Sequence, residues 1–185
     1  MPKKLLEPQT MLFPLPAVMV SCQKKGERPN IITLSWVGVV CSEPPMLGIS
    51  IRKNRFSLDI IKESKEFVLN VPRGGLLKAT DFCGTHSGKN VDKFADCGLT
   101  PVKGSKVNAP LIAECPVNLE CMVRNILDLG SHNLFIGEIV ATHIDIECLN
   151  ERGEPDVGKM CLFCYCPKAH EYRAVSEVLA EYGSA

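Results

Sequence analysis

Two serines and two arginines lie close together where a predicted strand ends and a predicted helix begins. They are Ser50, Arg52, Arg55 and Ser57. The first turn of a helix presents unpaired backbone N–H groups and a partial positive charge, so cations and hydroxyls added there favour a phosphate dianion. The alternative is a solvated basic turn, because this stretch has no glycine-rich phosphate-binding fingerprint. The spacing alone therefore indicates a candidate phosphate site and leaves that alternative open.

Two strands and a short helix must position these residues. Residues 31–41 and 46–51 are rich in apolar and β-branched side chains, and Pro44 and Pro45 interrupt the ladder between them. Ser57 then predicts the N-cap of a short helix with one apolar side. The candidate phosphate site is thus predicted at a strand-to-helix junction.

Strand follows strand over much of the chain. A strand at residues 17–22 is joined to the strand at residues 31–41 by a short polar connection, whereas a parallel pair needs a crossover of about a dozen residues or more. Residues 117–126 alternate apolar and polar side chains, and residues 132–144 predict a long strand that returns beside them. The sequence therefore predicts a mainly antiparallel β fold. Other helical stretches are predicted over residues 76–82, over residues 90–94 with Asn90 or the preceding loop as cap, and over residues 172–182.

The order of several short motifs resembles that of the flavin reductase-like family, and within it the flavoredoxins. The motifs are Asn30, Thr33, Ser35 and Trp36, then Pro44-Pro45, Arg52 and Ser57, then residues 67–71, Ser87-Gly88 with residues 92–94, and residues 131–139. The resemblance covers nearly the whole chain. It implies a mainly β fold with short helices, an antiparallel split β-barrel, that binds one flavin mononucleotide (FMN) per subunit noncovalently at a homodimer interface.

The resemblance also implies roles for individual residues. The residues implied for the phosphate are Ser50, Arg52 and Ser57, with Arg55 as a helper. Those implied for the ribityl chain and the ring edge are Asn30, Thr33, Leu34 and Ser35. Trp36 and Tyr165 are implied to cover the ring, and Lys93 and His132 to stabilise the reduced, anionic flavin. No side chain is required as a nucleophile or general base, so no catalytic residue is assigned.

Each of the single residues also has a structural alternative. Trp36 is the only tryptophan, and such a side chain commonly anchors a core or a subunit interface. Lys93 could be a solvated helix charge, and His132 a surface residue at the mouth of a hairpin. Three further histidines, His86, His143 and His170, are assigned structural or solvent-exposed positions.

Length and charge narrow the function classes. The 185 residues fit a single domain over residues 1–185. With 21 basic and 21 acidic residues, the chain lacks the net positive charge typical of nucleic-acid-binding proteins. The N-terminus has no signal-peptide pattern, and no apolar run reaches the roughly 18 residues of a membrane span. These observations favour a cytoplasmic protein with a small-molecule partner rather than nucleic acid or membrane.

The ten cysteines raise the alternative of a thiol or metal protein. They are scattered through strand-like runs in a chain large enough to build its own core, which favours free thiols in a reducing compartment. Cys161, Cys164 and Cys166 are close in sequence, but a structural zinc site needs a fourth ligand and iron–sulfur clusters need other spacings. Alternation along a strand would also turn Cys161 away from the other two, so no metal is predicted.

The function implied by the resemblance is electron transfer. Bound FMN would take electrons from a reduced donor such as NADH or NADPH and pass them to a free flavin, ferric iron or a partner redox protein. The alternative is an FMN-binding electron carrier that does not turn over a nicotinamide, since the chain has no dinucleotide fingerprint. The donor, the acceptor and the choice between NADH and NADPH are left open by the sequence.

Overall fold

Antiparallel β-strands are the main regular structure of the computed structural model, which describes residues 1–184. The strands are β1 (Leu15–Pro16), β2 (Val18–Cys22), β3 (Asn30–Leu34), β4 (Val37–Ser42), β5 (Pro45–Arg52), β6 (Glu66–Val71), β7 (Pro101–Val102), β8 (Leu111–Ile112), β9 (Val117–Leu129), β10 (His132–Ile144), β11 (Phe163–Cys166) and β12 (Glu171–Ala174). Seven of them form one sheet in the order β3-β2-β6-β9-β10-β5-β4. A second sheet has the order β1-β11-β12, and β7 pairs with β8.

The seven-stranded sheet is curled into a split barrel. Its two edge strands, β3 and β4, are joined only by Ser35 and Trp36. Two residues span at most about 7 Å when fully extended, so the opposite edges must come close together. The backbone N–H of Ser50 on β5 donates to the carbonyl of Trp36 over 2.9 Å at this junction. The predicted antiparallel split β-barrel is thereby confirmed. The single strand predicted over residues 31–41 is wrong, since it is divided at this bend.

The barrel interior is filled by the inward-facing side chains of the strands and by the apolar side of the helix that follows β5. Its members include Val20, Ile49, Ile51, Ile61, Phe67 and Phe135, each fully buried. Complete burial of one such side chain contributes about 1.5–3 kcal/mol. A second cluster lies between the other end of the sheet and the helices after β6, and includes Met19, Ile31, Cys83, Phe94 and Ile112. Strand β3 therefore packs against the barrel interior on one face and against those helices on the other.

Four short α-helices complete the described part of the chain, with 3₁₀ turns at Gly74–Leu76 and Ile146–Cys148. The helices are α1 (Phe56–Ser64), α2 (Leu77–Thr85), α3 (Lys93–Asp96) and α4 (Val157–Met160). Within residues 1–184, none of them has the length and apolar character that crossing a membrane requires.

Two of the predicted helix caps are wrong. Ser57 lies inside α1 and is 1% exposed, while Arg55 occupies the N-cap position and makes no side-chain capping hydrogen bond. The α3 helix is capped by Asp92 rather than Asn90, because the Asp92 carboxylate accepts from the backbone N–H of Ala95. In both cases the N-cap lies two residues away from the expected one. The Ser57 hydroxyl is therefore available for a contact with Asn30.

The helix predicted over residues 172–182 is also wrong. Residues 171–174 form β12, which pairs with β11 so that Tyr172 lies opposite Tyr165. The rest of the segment has no regular structure, and Val178 and Leu179 are 87% and 93% exposed. An isolated helix of this length is marginal without a surface on which to pack its apolar side. The free edge of β11 offers backbone hydrogen bonds instead.

Among the described residues, Cys161, Cys164 and Cys166 do not come together as a group of potential metal ligands. All ten are unpaired thiols. Cys161 is not on a strand as predicted, since it ends α4 in a left-handed conformation with φ of 49°. In the part of the chain that the structure describes, the one group of potential ligands lies elsewhere, at Asp145, Glu147 and Cys148. Arg73 pairs with both carboxylates, over 2.6 and 3.1 Å, which already compensates their charge.

A buried carboxylate anchors the loop that precedes β8. Glu120 on β9 is fully buried and accepts hydrogen bonds from the backbone N–H groups of Ser105, Lys106 and Val107, over 2.7 to 2.8 Å. The Ser105 hydroxyl and His143 Nε2 also contact it, each over 2.6 Å. Burial alone would raise the pKa of Glu120, but these hydrogen bonds outweigh it and lower the pKa to about 2.

We therefore expect Glu120 to make stability depend on pH in acid. Its folded-state pKa lies below the ordinary value of 4.5, so its contribution is present above pH 4.5 and is lost as the pH falls toward 2. The shift corresponds to about 3 kcal/mol. In denaturant titrations, Glu120→Gln should lower the free energy of unfolding by about 2–3 kcal/mol at pH 7 and flatten its dependence on pH between 4.5 and 2.

The matched control is Glu114→Gln. Glu114 also accepts from a backbone N–H, that of Thr100 over 3.1 Å, but at the surface. It should change the free energy of unfolding by less than about 1 kcal/mol. Equal effects of the two changes would show that the Glu120 carboxylate has no special role in stability.

Candidate functional site

A cavity of about 530 Å³ opens at the split between the two edges of the barrel. Nine of the twelve predicted site residues line it: Thr33, Leu34, Ser35, Trp36, Ser50, Arg52, Arg55, His132 and Tyr165. They come from β3, the bend after it, β5, the turn before α1, β10 and β11. The cavity falls in the range of about 300–1,000 Å³ that is usual for small-molecule sites. The split of the barrel is thus the place where the predicted residues converge.

One wall of this cavity combines an indole, an imidazole and a guanidinium. Arg52 at the end of β5 lies opposite His132 at the start of β10 in the antiparallel ladder. The His132 ring stacks on that of Trp36, with 6.4 Å between the ring centroids and 21° between their planes. Trp36 is 41% exposed, so it is not a core residue in this chain. An aromatic surface therefore lies next to a cation.

The opposite wall comes from the small sheet and from α2. Tyr165 on β11 and Tyr172 on β12 pack with their ring centroids 5.3 Å apart. The Tyr172 hydroxyl donates to Asp81 on α2 over 3.1 Å, and the Tyr165 hydroxyl lies 3.3 Å from Nδ1 of His170. The contact with Asp81 fastens the β11–β12 hairpin to the helix that closes the cavity. Burial, together with Asp81, raises the pKa of Tyr172 to about 12, so it stays a neutral donor.

Six residues of the larger cavity were not predicted as site residues. They are Ile32, Asp81, Gly84, Thr85, His170 and Tyr172. His170 was expected to be structural or solvent-exposed; it is exposed, and it also lines the cavity. The pairing of Tyr172 with Tyr165 is the signal that was missed: the helical spacing after residue 172 concealed a second strand.

The remaining three predicted residues line a smaller cavity of about 80 Å³ next to the first. They are Asn30, Ser57 and Lys93. Arg55 and Ile32 border both cavities. The Asn30 side-chain amide donates to the Ser57 hydroxyl over 2.7 Å, which joins β3 to the first turn of α1. Ser50 and Ser57, predicted to share one phosphate, therefore lie in different cavities, and Arg55 is the group that could reach both.

Lys93 brings a buried cation to the smaller cavity. Lys93 is only 4% exposed, and its Nζ donates to the carbonyls of Ile31 and Cys83, each over 2.7 Å. Among the described residues no carboxylate lies within 4 Å of this nitrogen. Burial lowers the pKa of Lys93, and nearby Arg55 adds to that effect. An ammonium has three N–H groups, so one is left for an anionic ligand that would relieve both effects.

His132 is a different kind of group. Burial and the adjacent Arg52 both lower its pKa below the ordinary value of 6.5. The ring is therefore neutral at neutral pH. Its place against Trp36 makes it part of the aromatic wall and a hydrogen-bonding group, whereas the positive charge of the two cavities comes from Arg52, Arg55 and Lys93.

The hydroxyls that line the larger cavity are only partly free. The Thr33 hydroxyl donates to the carbonyl of Thr80 on α2, so toward a ligand it can act only as an acceptor. Ser50 lies between Trp36 and Arg52 along the wall and has its backbone N–H bonded to Trp36. Gly84 packs against Thr33, where an added Cβ would stand 3.2 Å from Thr33 Cβ. The absence of a side chain at Gly84 therefore lets α2 approach β3 closely at this cavity.

This donor set fits a flavin mononucleotide. The two arginines suit a phosphate, the hydroxyls of the bend and of β5 suit a ribityl chain, and the aromatic side chains on both walls suit a planar ring system. Lys93 suits the electron-rich edge of such a ring. Each part of the molecule finds matching chemistry at the two cavities.

Comparison with known proteins agrees with this chemistry. Residues 10–157 match the family model described as flavin reductase like domain. An uncharacterized protein of Archaeoglobus fulgidus is 41% identical over 133 residues, which are 71% of this chain and 73% of that protein. A relative from Moorella thermoacetica, named high molecular weight rubredoxin, is 30% identical over 71% of this chain and 55% of its own length.

Solved structures of flavoredoxins are also similar to this chain. The flavoredoxin of Desulfovibrio vulgaris (Miyazaki F) superposes with a TM-score of 0.93 at 37% identity, covering 99% of this chain and 98% of that one. The flavoredoxin from Methanosarcina acetivorans does so with a TM-score of 0.89 at 31% identity, covering 98% and 97%. The resemblance found in the sequence is confirmed, and the chain belongs to the flavin reductase-like family of split-barrel flavoproteins.

Proposed function

We propose that this chain is a single-domain oxidoreductase that binds one FMN noncovalently at the split of its barrel. The observation that carries the proposal is the convergence of two arginines, an aromatic wall on each side and a buried lysine at two adjoining cavities. When bound, the flavin supplies the electron-transfer chemistry, and the protein supplies position and electrostatics. FMN is favoured over riboflavin because Arg52 and Arg55 would otherwise border the cavity without an anion.

The residues divide into three groups by what they offer the cofactor. Arg52, Arg55 and Ser50 would hold the phosphate, with Ser57 set back in the smaller cavity. The stretch from Thr33 to Ser35 would follow the ribityl chain, and Trp36, His132 and Tyr165 would enclose the ring. Asn30 and Lys93 would contact the ring edge from the smaller cavity. No side chain is needed to abstract a proton from the donor, because hydride transfer to a flavin requires none.

We also propose that the protein is a homodimer. An apolar cavity of about 320 Å³ adjoins the larger one and shares Ser35, Trp36 and Ser50 with it. Exposed apolar side chains continue this surface on β4 and β9, where Val39 is 77% and Leu129 is 55% exposed. A contiguous apolar surface of this kind is typical of a protein interface. A second copy placed there would cover the open side of Trp36.

The electron donor is proposed to be NADH or NADPH, and the acceptor a free flavin, ferric iron or a redox protein. The alternative is a carrier that exchanges electrons only with proteins. The relative named high molecular weight rubredoxin and the flavoredoxin neighbours favour this alternative as much as the enzyme. The unpaired thiols support a reducing, cytoplasmic setting for either function.

Uptake of FMN by the purified chain tests the proposal. We expect the protein to become yellow with one FMN per chain, to quench the fluorescence of the flavin, and to sediment at twice the mass of one chain. Anaerobic addition of NADH or NADPH should bleach the bound flavin if the chain is an enzyme. Bleaching only by a reduced protein would support the carrier. A chain that takes up no FMN from an excess would contradict both.

A further inference from the structure

A loop without helix or strand, residues 86–92, connects α2 to α3 at the smaller cavity. Three of its residues line that cavity, and Lys93 begins α3 directly after it. Among the described residues, Arg28 is the only one outside residues 82–96 that forms a hydrogen bond with this loop. Arg28 is thus the side chain that ties the loop to the rest of the molecule by hydrogen bonds.

Arg28 lies in the connection between β2 and β3 and contacts the loop at three points. Its Nη2 donates to the carbonyls of Gly88 and Val91, each over 3.1 Å. Its Nη1 lies 3.4 Å from Oδ2 of Asp92. The other oxygen of this carboxylate, Oδ1, accepts from the backbone N–H of Ala95 over 3.2 Å and caps α3. Because a guanidinium presents its N–H groups in one rigid plane, a single side chain fixes the loop and the start of α3 together.

These contacts lie next to two groups that the smaller cavity offers to a ligand. Asp92 immediately precedes Lys93, the buried cation of that cavity. Gly88 packs so closely on Asn30 that an added Cβ would overlap the oxygen of the Asn30 side chain. A displacement of the loop would therefore move the Lys93 ammonium and would remove the support of the Asn30 amide.

We propose that Arg28 is a positioning residue for the flavin site, which holds residues 86–92 so that the Lys93 ammonium stays at the ring edge of bound FMN. The inference rests on the proposed function and adds to it a residue outside the site. Arg28 itself lines neither of the two cavities, so it acts through Lys93 rather than by contact with the cofactor. Because the effect of a cation depends on its distance from the flavin, the placement of Lys93 sets how strongly the reduced, anionic form is stabilised.

Amide hydrogen exchange of the flavin-free chain tests whether Arg28 fixes the loop. Arg28→Ala removes all three contacts and should speed exchange at the N–H groups of Asn90 and Ala95 by about 10-fold. The matched control is Lys24→Ala, because Lys24 lies in the same connection but pairs with Glu63 on α1 over 2.5 Å. It should leave these rates within about twofold. Unchanged exchange in Arg28→Ala, or equal effects of the two changes, would overturn the inference.

The reduction potential of bound FMN tests whether Arg28 acts through Lys93. In Arg28→Ala we expect reduced FMN to lose about threefold more affinity than oxidised FMN, which corresponds to a midpoint potential about 14 mV more negative. The same substitution in a Lys93→Met chain should leave the potential of that chain unchanged, because the cation that it would displace is absent. A shift of equal size in both backgrounds, or no shift in either, would contradict the positioning role.

Arg28→Lys separates the contacts from the charge, and it carries the test if Arg28→Ala does not fold. A lysine keeps the positive charge but presents one nitrogen where Arg28 uses two, so it cannot reproduce all three contacts. We expect its exchange rates and potential to lie closer to those of Arg28→Ala than to those of the unaltered chain. Full restoration of both would show that charge alone is sufficient and would overturn the inference.

Failure of the proposed function is recognised separately. If the unaltered chain took up no FMN, the proposed function would fail on that result. The exchange rates of the flavin-free chain would still decide whether Arg28 fixes residues 86–92.

Discussion

Replacing both arginines of the larger cavity should abolish the preference of the protein for FMN over riboflavin. Arg52→Ala with Arg55→Ala removes the two cations proposed to bind the phosphate, and each such contact contributes about 1.5–3 kcal/mol. Because both side chains are exposed, we expect the lower end, a loss of about 100-fold in FMN affinity. Riboflavin, which has no phosphate, should bind as it does to the unaltered chain. Fluorescence titration with both flavins measures this.

The chain offers a matched control between the two arginines. Lys53 is equally basic and exposed, but it pairs with Asp128 over 2.7 Å on the outside of the β9–β10 hairpin. Lys53→Ala should therefore leave the affinities for both flavins within about twofold. If the double arginine variant lost riboflavin as strongly as FMN, the arginines would contribute to the shape of the cavity rather than to phosphate binding.

Removing the buried lysine should change the reduction potential of bound flavin. Lys93→Met takes away the buried cation near the proposed ring edge. Among the described residues, the only hydrogen-bond partners of this cation are the two carbonyls of Ile31 and Cys83. Reduced flavin carries more negative charge than oxidised flavin, so it loses more binding energy. We expect FMN affinity to fall about 10-fold or more and the midpoint potential to become more negative by on the order of 30 mV.

The corresponding control places the same change on the surface of α2. Lys78→Met removes an exposed cation and should leave both affinity and potential unaltered. Because Lys93→Met also leaves the carbonyls of Ile31 and Cys83 unsatisfied, its free energy of unfolding is measured alongside. A variant that is less stable but keeps an unchanged potential would remove Lys93 from the flavin site.

The two substitutions probe different ends of the same ligand. The arginines border the larger cavity and the lysine the smaller one, with Arg55 between them. The arginine variant could lose its preference for FMN over riboflavin but keep the flavin potential, while Lys93→Met changes the potential but keeps that preference. Together these results would place the phosphate near Arg52 and the ring edge near Lys93. Exchanged effects would indicate the opposite orientation.

Local patterns were sufficient for most elements of the barrel. Period-two alternation and turn residues predicted β2, β5 and the long β9–β10 hairpin, because each depends on neighbours in sequence. The errors lie where contacts between segments far apart in sequence determine the secondary structure. The Ser35–Trp36 bend exists because the sheet curls back on itself, and β12 exists because β11 presents a free edge to residues that would otherwise prefer a helix.

The same division applies to the site. The sequence by itself determined the kinds of groups available: two arginines and serines after a strand, hydroxyls and an indole at a bend, and a lysine before an aromatic residue. Only the tertiary structure decided that Asn30, Ser57 and Lys93 lie in a second cavity, and that Asp81, His170 and Tyr172 close the first. The physical reason is that side-chain chemistry belongs to single residues, whereas burial and proximity are created by strand register and helix packing between segments far apart in the chain.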